Sequence, residues 1–474
     1  MGCAQLAGID DTNGNGRTGN SLTVKRMSIG NQVVVAPLDL TGLQASYLVS
    51  TDTAGIFEPV MAVEAASKPG TWTLDLRDPV PVEFTLPDVP TPVLREFAFP
   101  NRALSVLFAP LEHPDRSPAP DAAMLTVTAM LEVPAAATDS FQAYTVGSWT
   151  SHPLPAPAAI NPMVVGPASY LFNTSNSLSG RPQLDSLTVK DAFLVLRYSG
   201  AGLTGVAEAP PFDQTGADMV VTPTMTPVVA DQMLDVKVSP TSLSMRYAAV
   251  RPAVATLAMN WSLVAAPGYR IANNTGPALQ SAALAATDIG VMVKYGNPFA
   301  VRNWNTIFTL ATSESRVYTP PGGTLPVTLV AGMNQFIEPS PGFDLSLPAG
   351  LPVLISIDGR QLSTDGQVVM KPTKFVEVTF LPDNANATVF NLQVYDLLPN
   401  AAATALEYHF VFSAASSEAK FEVPPEIFQA GHNYTLRALC TYGGYPTIAD
   451  GDFTNRELPL AQSYLDSGVI LVTP

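Results

Sequence analysis

The chain has 474 residues, of which 47% are hydrophobic and only 14% are charged, and its formal net charge is −16. Its 24 lysines and arginines form no basic run, whereas nucleic-acid binding by counterion release needs clustered cations. No run of about 18 uninterrupted apolar residues occurs, so the sequence contains no transmembrane-helix pattern and no nucleic-acid-binding surface.

The N-terminus combines a cysteine with a polar, glycine-rich stretch. Gly2 and Cys3 open the chain, and we interpret Met1 as a start codon attached to a mature terminus that lacks a signal peptide. This opening resembles a processed bacterial lipoprotein, in which a small residue precedes the lipidated cysteine and a flexible tether follows. The resemblance implies lipidation of Cys3, secretion, and a place in the bacterial cell envelope, at the outer membrane or cell surface. The alternative is an ordinary free cysteine near the terminus.

The same stretch contains the first half of a calcium-loop pattern. Asp11, Asn13 and Asn15 stand at alternating positions and Gly16 follows them, as in loops that bind Ca²⁺ through oxygen ligands. The twelfth position of the loop holds Leu22 in place of the bidentate glutamate. The pattern therefore predicts either a flexible linker or a weak Ca²⁺ site, and no other cofactor is expected.

Alternation of apolar and polar residues recurs along the rest of the chain, and it is typical of half-buried strands. Proline and glycine clusters separate these runs, and the nearest approach to a helical pattern, at 278–286, is too short to hold alone. We therefore predict an all-β protein of tandem β-sandwich modules of the immunoglobulin or fibronectin III type. The clearest runs lie at 72–76, 80–86, 125–133, 187–198, 233–238, 289–295 and 406–412.

The module boundaries are predicted from a repeated strand ending. Leu-Pro-Asp occurs at 86–88 and again at 381–383, and each time it closes an alternating run. We interpret both as boundaries, with chance similarity of a common strand ending as the alternative. The predicted organisation is a flexible tether at 1–20, a β module at 21–90, one or two sandwich modules at 91–245, a sandwich module at 246–380 and a fibronectin III-like module at 381–474.

The last module carries the most specific resemblance. Tyr434 is preceded by a turn and followed by Leu436, Ala438 and Cys440 at alternate positions. This is similar to the corner between strands E and F of a fibronectin type III domain. The resemblance implies that the Tyr434 hydroxyl bonds to backbone upstream of it. Ala430 replaces the proline of the family pattern, and the module lacks the core tryptophan.

Catalytic signatures are missing from the sequence. The four histidines form no compact zinc pattern, no glycine precedes a lysine as in a phosphate-binding loop, and no nucleophile elbow occurs. We therefore predict a non-enzymatic scaffold, adhesin or assembly subunit that binds other proteins or further copies of itself. A hydrolase whose site is assembled from distant loops is an alternative.

Aromatic residues provide a further alternative, a carbohydrate-binding protein. Trp149 lies beside a proline-rich stretch, and Trp304 stands near Arg302 among asparagines. Rings, guanidinium and amide groups of this kind bind sugars, so Trp149, Trp304 and Arg302 are candidates for a polysaccharide-binding face. Packing in a sandwich core is the alternative for each tryptophan.

Overall fold

The computed structural model describes residues 20–473 with gaps, and up to residue 128 it describes the backbone of the strands only. The gaps lie at 30–32, 38–43, 51–55, 61, 65–70, 75–79, 86–93, 99–103, 109–123, 132–134, 147–149, 155–163, 172–188, 190–191, 201, 214–218, 252–256, 269–275, 284–288, 340–349, 365, 384–386, 417, 424 and 447–455. Thirty-two strands and one α-helix occur among the described residues, which confirms the all-β fold.

Module one has one sheet in the order β4-β3-β7-β8, and in its second sheet β1 pairs antiparallel with β6 and parallel with β9. Its strands are β1 (Asn20–Ile29), β2 (Val33–Pro37), β3 (Gln44–Ser50), β4 (Ile56–Val60), β5 (Ala62–Glu64), β6 (Thr71–Leu74), β7 (Val80–Thr85), β8 (Leu94–Ala98) and β9 (Leu104–Phe108).

Module two repeats this arrangement, with the order β12-β11-β14-β15 in one sheet and β10 paired antiparallel with β13 and parallel with β16 and β17. Its strands are β10 (Met124–Leu131), β11 (Asp139–Val146), β12 (Thr150–Leu154), β13 (Val164–Leu171), β14 (Ala192–Ser199), β15 (Gly202–Glu208), β16 (Met219–Val221) and β17 (Thr224–Pro227).

Module three has the order β20-β19-β22-β23 in one sheet, and β18 pairs with β21 in the other. Its elements are β18 (Gln232–Val238), α1 (Pro240–Val250), β19 (Leu257–Ala266), β20 (Ala278–Ala283), β21 (Ile289–Tyr295), a 3₁₀ turn (Pro298–Arg302), β22 (Asn305–Tyr318) and β23 (Val327–Ile337).

Module four has the order β29-β28-β31-β32, and β27 pairs with β24 and β30 in the facing sheet. Its elements are β24 (Pro352–Ile357), β25 (Arg360–Gln361), β26 (Gln367–Met370), β27 (Val376–Pro382), β28 (Val389–Pro399), β29 (Leu406–Ser416), β30 (Lys420–Val423), a 3₁₀ turn (Pro425–Ile427), β31 (Asn433–Gly443) and β32 (Leu460–Val472).

The four modules share one Greek-key plan. In the letters used for immunoglobulin-like sandwiches, each has a sheet ordered C′–C–F–G and a facing pair of strands B and E. Strand B is β1, β10, β18 and β27 in modules one to four. The repetition supports the predicted tandem sandwich architecture, because the same two-sheet plan recurs four times and the described side chains of modules two to four form apolar cores.

The predicted boundaries do not coincide with these modules. Residues 90–91 fall between β7 and β8, which pair within one sheet, so module one extends to β9. Residues 245–246 lie inside α1, and 380–381 lie inside β27. Leu-Pro-Asp at 381–383 does end a strand, but that strand lies inside module four, because β27 pairs with β24 and β30.

Helix α1 was not predicted from the sequence. Ser239 caps α1 by accepting a hydrogen bond from the Ser242 N–H at 3.3 Å, and Pro240 occupies the first turn, where it needs no donor. Leu243 and Tyr247 are buried one turn apart on the same face. The described part of the stretch with the nearest approach to a helical pattern, residues 278–283, forms β20 instead, which pairs with β19.

Modules two, three and four form one packed body. Strand β14 is buried on both faces: Phe193 and Val195 belong to the core of module two, while Leu194 and Leu196 join the apolar cluster of module three. Modules three and four are joined more closely, because β23 pairs antiparallel with β32 from Ala331 and Leu465 to Phe336 and Leu460. Eight strands in the order β20-β19-β22-β23-β32-β31-β28-β29 therefore form one continuous series of paired strands from module three into module four.

Candidate functional site

The junction of modules three and four holds the largest set of buried charges in the described part of the chain. We call Arg251, Glu314, Arg437, Asp466 and Tyr408 the junction cluster. Its members come from the end of α1 and from β22, β29, β31 and β32. The cluster thus lies where strand G of one module meets strand G of the next.

Arg251 is the member that follows the helix. Its side chain and that of Glu314 are both fully buried, and Nη1 lies 2.7 Å from Oε2 of Glu314. The same guanidinium donates to three carbonyls, those of Leu329 at 3.3 Å, Val330 at 3.2 Å and Asp466 at 2.9 Å. One side chain therefore binds strand β22 and both paired strands β23 and β32.

Asp466 lies at the centre of the cluster. Arg437 donates two hydrogen bonds to its carboxylate, from Nε to Oδ1 at 2.6 Å and from Nη2 to Oδ2 at 3.1 Å. The Val330 N–H and the Tyr408 hydroxyl each donate to Oδ2 at 2.8 Å. Donors from β23, β29 and β31 thus meet on one fully buried carboxylate of β32, which offsets the cost of removing that charge from water.

Aromatic rings surround the guanidinium of Arg437. Its central carbon lies 5.2 Å from the ring centre of Tyr395, 5.5 Å from that of Tyr408 and 5.3 Å from that of Tyr464. Cations at this distance from aromatic rings are attracted to them. Burial acts to lower the pKa of Arg437, but the hydrogen bonds and charge of Asp466 outweigh it and raise that pKa above its ordinary value.

Tyr408 is held as a hydrogen-bond donor. Burial raises the pKa of its hydroxyl well above the ordinary value, and the neighbouring Asp466 carboxylate raises it further. A protonated hydroxyl keeps donating to Asp466, and its oxygen also lies 2.9 Å from the Thr328 carbonyl. The cluster therefore holds neighbouring strands together, because donors from three strands bind Asp466 and Arg251 binds Glu314.

Helix α1 adds contacts on the same side. Arg246 makes two hydrogen bonds of 3.1 Å with the carboxylate of Asp383, which follows β27 in module four. The buried Tyr247 hydroxyl lies 2.8 Å from Oγ1 of Thr312 on β22. Module four thus contacts both the helix and the sheet of module three.

The predicted corner at Tyr434 is present in module four. The Tyr434 hydroxyl accepts a hydrogen bond of 2.8 Å from the Gln429 N–H, which lies upstream, and the side chain is buried. Burial raises the pKa of Tyr434 to about 12. His432 in the same corner places Nδ1 at 2.8 Å from Oδ2 of Asp396.

Two of the residues predicted to bind sugar are committed to other contacts. Trp304 is only 2% exposed and stacks on Phe299, with ring centres 5.5 Å apart, so it offers no face to a sugar. This corrects the prediction, and the reason is that the 3₁₀ turn before β22 directs the ring into the core. Arg302 forms an ion pair with Glu208 of module two, at 2.5 Å.

The remaining predicted residues lie outside the described part of the chain. These are Cys3, Asp11, Asn13, Asn15 and Trp149. Among the described residues, no group of three His, Cys, Asp or Glu side chains is arranged to hold a metal ion. No helix in that part of the chain is long and apolar enough to cross a membrane.

The junction cluster was not predicted, although one of its members left a signal. Phe308, Leu310 and Thr312 occupy the buried phase of β22, and Glu314 continues that phase. A carboxylate on the buried side of a strand needs a partner, so its position indicates a buried ion pair. Arg251 gives no such signal, because it follows a helix and precedes a stretch without a clear period.

Comparison with known proteins adds no relative: no protein-family model matches the chain, and no curated protein sequence matches it at a significant level. The class of protein is therefore defined by the fold alone, a tandem array of immunoglobulin-like β-sandwiches with a locked junction between modules three and four.

Proposed function

We propose that this protein is a non-enzymatic lipoprotein, secreted and anchored at the bacterial cell surface, whose sandwich modules form a rigid scaffold for adhesion or assembly. The observation that carries the proposal is the sheet shared by modules three and four. A tandem protein that only needs independent binding modules can join them by flexible linkers. A shared sheet instead fixes the distance and angle between two modules.

The junction cluster also supports a rigid connection between modules three and four. Buried ion pairs contribute little net stability compared with apolar packing, but a broken pair costs much, so they favour one arrangement over others. Arg251 and Asp466 meet donors and acceptors from both modules only when β23 and β32 are in register. A scaffold that presents partners at a fixed spacing requires this kind of specificity.

The rigidity is tested by measuring one distance across the junction. Spin labels are attached to cysteines at Val301 of module three and Phe410 of module four, which are 88% and 52% exposed. Cys3 is replaced by serine, and Cys440 is retained because it is buried and burial raises its pKa, which keeps the thiol unreactive. Pulsed electron resonance on labelled protein diluted into an excess of unlabelled protein, so that only distances within one chain are recorded, should give one narrow distance distribution.

A broad or multiply peaked distribution would contradict a rigid scaffold. The matched control carries both labels within module three, at Val301 and Val317, which is 69% exposed. This pair reports the width that label motion alone produces. The proposal requires the distribution across the junction to be no broader than the control.

The anchor is tested on the native protein in its own host. Detergent extraction of the membrane fraction, followed by mass spectrometry of the N-terminal peptide, should show acyl chains on Cys3. A Cys3→Ser variant should move to the soluble fraction, whereas a Cys440→Ser variant should remain with the membrane. Unmodified Cys3 in the membrane extract would contradict the lipoprotein proposal. The scaffold proposal would then be tested by the distance measurement alone.

A further inference from the structure

Among the described residues, strand β18 of module three lacks a neighbour that strand B has in the other three modules. In module one β9 lies beside β1, in module two β16 and β17 lie beside β10, and in module four β24 lies beside β27. Within the described part of the chain, β18 pairs only with β21. Because no described strand pairs with its other edge, the backbone there can pair with a further strand.

The reason lies in the strand that follows strand G. In modules one and two this following strand returns to strand B of its own module. After β23 of module three, the next described strand is β24, which pairs instead with β27 of module four. Among the described residues, the second sheet of module three therefore has two strands, β18 and β21.

The side chains of β18 alternate between the core and an exposed outer face. Leu234, Val236 and Val238 are buried toward the core, whereas Met233 is 58% exposed on the outer face. Asp235 and Lys237 share that outer face and form an exposed ion pair of 2.7 Å along the strand. An exposed pair of this kind is worth little by itself, so both charges are free to exchange partners.

This charge order is complementary to a second copy of itself. When two β18 strands run antiparallel about a twofold axis through Val236, Asp235 of each copy lies opposite Lys237 of the other. Opposite charges directly across an antiparallel pair stabilise it, and like charges destabilise it. The same axis places Leu234 opposite Val238 on the core side, so both faces of the new pair match.

We propose that this protein forms a symmetric dimer by antiparallel pairing of β18 with β18 of a second copy, which joins the second sheets of both third modules. Such an interface is isologous and closes after two copies, in contrast to an open edge that propagates. This proposal rests on the proposed scaffold function and names a second copy of the chain as its partner. The two proposals can fail separately, because a monomeric protein would still give the same distance across the junction of modules three and four.

The test uses reciprocal charge reversal in the full chain, measured by sedimentation equilibrium. The wild-type protein should be a reversible dimer. In a Lys237→Glu dimer, the introduced carboxylate of each copy faces Asp235 of the other, which gives two repulsive pairs of carboxylates. In an Asp235→Lys dimer, two pairs of cations face each other in the same way. Each variant should therefore dimerise with a dissociation constant raised about tenfold or more. An equimolar mixture of the two variants should restore the dimer, because every cross-strand pair is then attractive.

Lys294→Glu is the matched control, since Lys294 is exposed on the same sheet but lies on β21, opposite Met233. It should leave the dimer unchanged. Restoration on mixing also excludes misfolding, because two misfolded chains would not rescue each other. A wild-type protein that is monomeric at every concentration would overturn the proposal and favour pairing of this edge with a strand of another protein. A dimer that persists in both charge-reversal variants would also overturn it, because the interface would then lie elsewhere.

Discussion

At the scale of single residues, the tryptophan that looked most like a sugar platform is a core residue. Trp304 is buried against Phe299, and nearby Val301 is 88% exposed. Trp304→Ala should therefore lower the free energy of unfolding by about 3–5 kcal/mol, because it leaves a cavity in module three. Urea denaturation followed by circular dichroism measures the loss.

Val301→Ala is the control for this substitution, and as an exposed position it should change stability by no more than about 0.5 kcal/mol. The core assignment would be contradicted by a Trp304→Ala protein that kept its stability but lost affinity for a polysaccharide.

Tyr434 tests the corner that the sequence predicted. Tyr434→Phe removes the acceptor of the part-buried hydrogen bond from the Gln429 N–H, and the loss of such a bond should cost about 0.5–1.5 kcal/mol. Tyr442 lies on the same strand, and in the described part of the chain its hydroxyl has no recorded partner, so Tyr442→Phe is the matched control. Equal losses from both substitutions, measured by urea denaturation, would show that the corner hydrogen bond contributes nothing.

At the scale of elements, the junction cluster ties α1 to the two G strands. Arg251→Met removes the 2.7 Å partner of the buried Glu314 and leaves it the longer ion pair of 4.0 Å with Arg316, so the substitution should destabilise the protein by about 3 kcal/mol. Glu314→Leu should cost a similar amount for the converse reason. The double variant should lose clearly less than the sum of the two, because it leaves neither charge unpaired.

The measurement is a double-mutant cycle by urea denaturation. Lys420→Met removes one member of the exposed pair with Glu377 and serves as the control, for which we expect little change. Additive losses from Arg251→Met and Glu314→Leu would show that the two side chains do not act together. In that case the three carbonyl contacts of Arg251 would account for its role.

At the scale of the whole molecule, buried tyrosines make stability depend on alkaline pH. Burial raises the pKa of Tyr434 to about 12 and raises that of Tyr247 and Tyr408 well above the ordinary value of 10.0. The unfolded chain loses these protons near pH 10, before the folded chain does. Their contribution is therefore complete below pH 10 and is lost as the pH rises through the folded values.

A pH titration of tyrosinate absorbance, recorded together with circular dichroism, checks this dependence. Exposed tyrosines should ionise near their ordinary pKa, and the buried ones should ionise together with loss of the fold. Ionisation of all tyrosines near pH 10 with the fold intact would contradict the burial of these three side chains.

Much of the architecture was accessible from the sequence because its signals are local. Alternation along one strand reports that one face is buried, and so the runs at 233–238, 289–295 and 406–412 all lie in strands. The corner at Tyr434 was accessible for the same reason, since its hydrogen bond spans five residues. The helix α1 was missed because only its cap and three buried positions mark it.

The sequence by itself determined the all-β class, the positions of many strands and the tyrosine corner, because each depends on neighbours along the chain. The tertiary structure decided the module boundaries, the burial of Trp304, the partners of Arg251 and the open edge of β18. These depend on which strands pair, and pairing is made by backbone groups that every residue carries. Side-chain patterns show that a strand has a buried face, but only the assembled sheets show what lies beside it.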